Sequence, residues 1–166
     1  IAEGLRIPLV YNTGGYDSVS TLRLLDGIVD IYMPDMKYAD ATIGLRFSGV
    51  PDYPEINRAA VLEMHRQVGD LVLDEQGIAK RGLLVRHLVL PDNLAGTEAI
   101  MQFLAQEVSP DTYVNIMAQY HPAYRAAIFP SLNRRITPNE YRAAIATARK
   151  VGIHRLDERP LRWLLE

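Results

Sequence analysis

The chain has 166 residues, 48% of them hydrophobic, enough for one domain with a packed core and too few for two large ones. A net charge of −2 and a pI near 6.1 leave no basic surplus for nucleic acid or an anionic membrane, and the charges are mixed along the chain. No apolar run approaches membrane-spanning length, no signal-peptide pattern is present, and the absence of cysteine removes disulfides and thiolate-held metals from this stretch, which fits a cytoplasmic setting.

The chain begins Ile1-Ala2-Glu3-Gly4 without Met and enters an apolar run almost at once. With Gly4 as the C-cap of a preceding helix, it reads as a piece of a longer protein. Ile7 to Tyr11 is a short strand ending in Asn12-Thr13-Gly14-Gly15, where two glycines permit close backbone approach. Asp17 and Ser18 are N-cap candidates for a helix over Val19 to Leu25, stopped by Gly27. Ile28 to Met33 forms the second strand and runs into Pro34-Asp35-Met36-Lys37. A short helix over Asp40 to Phe47 and a longer one over Pro54 to Val68 follow, the latter closed by Gly69.

Residues 71–82 pattern as a hairpin around the turn-like Asp74-Glu75-Gln76-Gly77. Leu83 to Pro91 is the clearest strand, nearly continuous in apolar residues, as a strand buried on both faces requires. Thr97 caps a helix over Glu98 to Val108, Tyr113 to Met117 is the fourth strand, and a long polar connection follows Pro122. Thr137-Pro138-Asn139-Glu140 is a capping box opening a helix to about Lys150, closed by Gly152. Strand and helix thus alternate, which predicts parallel strands joined by crossovers. A complete (β/α) barrel needs roughly 250 residues. Four strands make about half of one, so the expected fold is a partial parallel α/β barrel.

In such folds ligands sit at the C-terminal ends of the strands. The polar residues there are Asn12 and Thr13, Asp35 and Lys37, Arg86 and Asn93, and Gln119 with His121. Asn12 and Thr13 serve either the turn or a ligand. Asp35 directly follows a buried strand, which favours function over a solvated loop. Arg86, among apolar neighbours, needs either an ion-pair partner or an anionic ligand. His87 alternates away from it and reads as a packing histidine; His65 and His154 read as bystanders. No Walker sequence, Gly-x-Gly-x-x-Gly or His-x-x-x-His pair is present, and no metal site is expected in this stretch.

Four segments in order carry a family likeness: Val10-Tyr11-Asn12-Thr13-Gly14-Gly15-Tyr16, Asp30-Ile31-Tyr32-Met33-Pro34-Asp35-Met36-Lys37, Leu84-Val85-Arg86-His87-Leu88-Val89-Leu90-Pro91 and Asn115-Ile116-Met117-Ala118-Gln119-Tyr120-His121-Pro122. With their spacing they cover most of residues 7–125. In these segments the chain resembles the radical S-adenosylmethionine enzymes, specifically relatives of pyruvate formate-lyase activating enzyme. The resemblance implies that residues 1–166 are the C-terminal portion of one TIM-like barrel domain whose N-terminal, cluster-binding half is absent.

It further implies that Asn12, Thr13, Met33, Asp35 and Lys37 lie beside the methionyl part of S-adenosylmethionine, Arg86 and Leu88 beside its ribose and adenine, and His121 near the adenine. Asn12 replaces the family's Asp and so removes a formal charge with which that family holds a monovalent cation. The family's Cys-x-x-x-Cys-x-x-Cys motif, which binds a 4Fe–4S cluster, belongs to the half not present. The implied activity is an oxidoreductase: one electron, from a donor such as flavodoxin or ferredoxin, cleaves the cofactor to a 5′-deoxyadenosyl radical that abstracts hydrogen. In activating enzymes the hydrogen comes from a glycine of a partner glycyl-radical enzyme. The piece alone would be inactive, and no catalytic residue is assigned in it. Two other readings stay open: a barrel aldolase or hydrolase using Asp35, Lys37 and His121, and a non-catalytic interaction domain.

Overall fold

The computed structural model describes residue 4 and residues 6–157. The helix end expected before Gly4 lies outside the described residues. Four strands run parallel: β1 (Val10–Thr13), β2 (Ile31–Met36), β4 (Ala79–Leu88) and β5 (Tyr113–Met117). The short β3 (Val72–Leu73) pairs antiparallel with the start of β4, the expected hairpin around residues 74–77. The described residues also form five α-helices, α1 (Val19–Arg23), α2 (Ala41–Ser48), α3 (Tyr53–Val68), α4 (Thr97–Phe103) and α5 (Pro138–Lys150), and short 3₁₀ turns at Pro91–Asn93 and Tyr124–Ile128.

The parallel strands lie side by side in chain order, β1-β2-β4-β5. After α5 the chain returns to the free edge of β5, where Leu156 bridges Val114 in parallel, with Val114 N–H donating to Arg155 O at 2.9 Å and Asp157 N–H to Val114 O at 3.0 Å. Each unit therefore adds its strand at the same edge. A doubly wound sheet reverses its order at a switch point; a barrel wall does not.

The pleat divides the sheet into two unlike faces. Tyr32, Leu83, Val85, His87, Val114 and Ile116 are all at most 5% exposed. They pack against Ala60, Val61 and Met64 of α3, Ile100 and Met101 of α4, and Ala144 and Ala148 of α5. Each fully buried aliphatic chain there contributes about 1.5–3 kcal/mol. The alternate residues, Met33, Asp35, Leu84, Arg86, Leu88, Asn115 and Met117, are only half-buried. Among the described residues, no helix brings its core side chains to that face, and none of its apolar members joins the core.

The structure changes several expectations. The first strand is Val10–Thr13 and not Ile7–Tyr11, and the third runs from Ala79 to Leu88 and not from Leu83 to Pro91. β2 extends through Pro34, Asp35 and Met36, so Asp35 is a strand residue held by its register with Arg86 and not part of a loop. Thr97 does not cap α4; the N-cap is Gly96, and the Thr97 side chain is buried against His87. The helix expected through Val108 widens into a π-turn over Leu104–Val108, where Ser109 N–H reaches back to Leu104 O at 2.9 Å. The capping box stands as expected: Thr137 Oγ1 accepts from Glu140 N–H, and the Glu140 carboxylate accepts from Thr137 N–H.

Candidate active site

Arg86 and His87 are neighbours on β4 that serve opposite faces. His87 is fully buried; its Nδ1–H donates to Met36 O at 2.9 Å, and its Nε2 accepts from the Thr97 hydroxyl at 2.9 Å. A carbonyl can only accept, so this geometry fixes the neutral tautomer protonated at Nδ1. Burial pushes its pKa down to about 4. As the sequence suggested, it is a packing residue, and it ties α4 to the backbone between Asp35 and Lys37.

On the other face, the register sets Asp35 opposite Arg86. Arg86 Nε donates to Asp35 Oδ1 at 2.8 Å, and its Nη2 lies 2.6 Å from the same oxygen. Lys37 Nζ lies 3.3 Å from Asp35 Oδ2. Asp35 thus divides its two oxygens between two cations. With side chains 13% (Asp35), 24% (Arg86) and 40% (Lys37) exposed, the group is partly screened from solvent and carries one net positive charge. Both cations retain N–H groups beyond those given to Asp35, so the group can receive a carboxylate or several polar acceptors.

Helix α3 fixes this corner from below. Asn57 is fully buried, and its Nδ2 donates to Gly15 O and Asp35 O, both at 2.9 Å. The Tyr53 hydroxyl lies 3.1 Å from Gly14 O and 3.2 Å from Asp35 O as donor, and accepts from Lys37 N–H at 3.1 Å. Burial raises the Tyr53 pKa well above the ordinary phenol value, so it stays a donor. Gly15 has φ +77°, and a Cβ there would lie 2.2 Å from Asp35 O and 2.3 Å from Asn57 Nδ2. Only glycine allows the end of β1 to close on the end of β2. Reasoning from the sequence passed over Tyr53 and Asn57. The available signal was a polar residue at i+4 from Tyr53 on a stripe continued by Ala60, Val61 and Met64.

Five of the eight candidate residues, Asp35, Lys37, Arg86, Leu88 and His121, line one cleft at the C-terminal ends of β2, β4 and β5, with Met117 and Gln119. Asn12 and Met33 are paired in register on the same open face, one row nearer the strand starts, and line no part of that cleft. Thr13 alternates to the helix side, where its hydroxyl donates to Asp17 Oδ2 at 2.7 Å and accepts from Gly15 N–H at 3.1 Å. Its observed role is to shape the turn. Asp17 likewise accepts from Tyr11 and Thr13 instead of capping α1. His65 and His154 pair with Asp70 and Asp111 away from the cleft. Lys37 is ion-paired and two-fifths exposed, unlike the dry amine a Schiff-base lysine requires.

No helix among the described residues is long and apolar enough to cross a membrane. Against known proteins, no family model matches the chain, and no solved structure matches it. It is 34% identical over 148 residues to an uncharacterized protein of Methanocaldococcus jannaschii. The aligned stretch covers 89% of this chain and 39% of that relative, so the chain spans about two fifths of the length of the curated protein it matches.

Proposed function

We propose that the chain is the C-terminal half of a radical S-adenosylmethionine barrel, related to pyruvate formate-lyase activating enzyme, and that the Asp35–Arg86–Lys37 cleft holds part of that cofactor. The observation that carries the reading is the convergence, on one uncovered sheet face, of strand-end residues drawn from three of the four likened segments. The one-directional strand order and the single helix layer support a barrel wall over a doubly wound sheet.

The residues fit the group. Lys37 and Arg86 offer donors to a carboxylate, Asp35 and Gln119 accept from amine and hydroxyl groups, and Leu88 and Met117 give an apolar floor for a ring. When bound and reduced by one electron, the cofactor supplies a carbon-centred radical able to abstract hydrogen. This chain's own residues orient and charge-balance it, with Tyr53 and Asn57 holding the Asp35 backbone in place. The chain has no cysteine, so in this reading the cluster ligands belong to another part of the protein. The physiological partner in this reading is a glycyl-radical enzyme or another protein substrate.

Calorimetric titration of the intact protein with S-adenosylmethionine tests the assignment. Asp35→Asn and Arg86→Met should each weaken binding at least about tenfold, the scale of one charge-assisted contact. Equal affinity in wild type and both variants would remove the cofactor from this cleft.

A further inference from the structure

A second cleft shares Tyr120, His121 and Ala123 with the first and opens outward between α2 and the β5–α5 connection. Sequence patterning marked this connection only as polar. Its chemistry differs from that of the first cleft. Tyr38, Phe47, Tyr120 and Phe129 line it, and Phe47 and Phe129 meet edge to face with centroids 5.1 Å apart. The Tyr120 hydroxyl donates to Leu132 O at 2.8 Å, which fixes one wall. One cation, Arg125, lines the cleft, and a second, Arg46, lies outside its lining with its guanidinium 5.3 Å from the Phe47 centroid and 5.9 Å from that of Phe129. Among the described residues neither arginine has a carboxylate partner, and no acidic residue lines the cleft.

We infer that this cleft is a binding site for an aromatic carboxylate. Aromatic walls favour a flat ring through stacked and edge-to-face contacts. The Arg125 guanidinium, without a carboxylate partner among the described residues, favours an anion, and the planar fork of arginine matches a carboxylate. The cleft measures about 260 Å³. A cavity of about 150 Å³ accommodates benzene, so one ring with a short anionic arm fits. An aliphatic acid would forgo the ring contacts, and a neutral arene would leave Arg125 unanswered. The site stands on its own lining and does not depend on the radical reading.

The test is titration of the intact protein with benzoate, cyclohexanecarboxylate and benzyl alcohol, followed by calorimetry and saturation-transfer NMR. Benzoate should bind, and the other two should bind at least about fivefold more weakly. Arg125→Ala changes an exposed side chain with no partner among the described residues, so the fold is retained, and it should weaken benzoate about five- to tenfold. Phe129→Leu should act in the same direction, while Asp35→Asn, at the neighbouring cleft, should leave benzoate affinity unchanged. Absence of benzoate binding, equal binding of cyclohexanecarboxylate, or indifference to Arg125→Ala would each overturn the inference. So would displacement of benzoate by S-adenosylmethionine, which would give the cleft to the cofactor.

Discussion

Acidification should destabilise the protein through His87 at a higher pH than through its ion-paired carboxylates. The imidazole is fully buried and neutral, with its pKa depressed from 6.5 to about 4. In the unfolded chain it takes up a proton near pH 6.5; in the folded protein it resists until about pH 4. The unfolded state therefore binds more protons throughout that window, and stability falls as pH falls through it. Integrating the shift gives a loss of about 2 kcal/mol by pH 5 and about 3 kcal/mol below pH 4. Glu63 and Glu140 contribute later, because hydrogen bonds from Arg66 and Arg134 hold their folded pKa values far down: their losses begin only as the unfolded carboxylates protonate, near pH 4.5, and continue below it. Urea denaturation at pH 7.5 and pH 5.0 measures the effect, with His87→Gln as reference. Gln can still donate to Met36 O but cannot charge in this range. The wild type should lose about 2 kcal/mol more than the variant on moving to pH 5. Parallel losses in the two proteins would mean that His87 is hydrated or charged in the fold, and the argument from burial would fail.

Gly15→Ala should cost about 2–4 kcal/mol by chemical denaturation, because the added methyl meets backbone at 2.2 Å and the φ of +77° disfavours any side chain. Tyr53→Phe keeps the ring but leaves Lys37 N–H without its acceptor and Gly14 O without its donor. It should cost about 1–2 kcal/mol, measured the same way, and should also weaken S-adenosylmethionine. Glu140→Ala removes the capping box and the ion pair with Arg134, and frees Asp92 N–H, which it accepts at 2.8 Å. A loss of about 1–3 kcal/mol is expected, read from the urea midpoint.

Much of the scaffold was legible in the sequence because its signals are local. The apolar run ending at Leu90, the capping box at Thr137 and the hairpin residues 74–77 each state their structure within a few positions. The end of β2 was not legible in this way. Pro34 and Asp35 look like loop residues, and it is pairing with Thr13 of β1 and Arg86 of β4 that makes them strand. Thr97 misled for a similar reason: a good N-cap residue was taken by a buried histidine. At the candidate site, Asp35 and Arg86 could each be suspected alone, but their pairing depends on a register spanning 51 residues. Thr13 shows its local role only in the fold, where its parity turns its hydroxyl to Asp17 on the helix side. The Tyr53–Asn57 clamp and the aromatic cleft bring together residues distant in sequence, and only the folded chain unites them.

We propose that the Asp35–Arg86–Lys37 cleft holds the cofactor of a radical enzyme. The most direct test takes the intact protein, reconstituted anaerobically with iron and sulfide and supplied with dithionite and S-adenosylmethionine. About four irons per chain are expected, with 5′-deoxyadenosine as a product and its loss in Asp35→Asn. An intact protein that takes up no iron–sulfur cluster, or that carries one and leaves S-adenosylmethionine uncleaved under reduction, would contradict it.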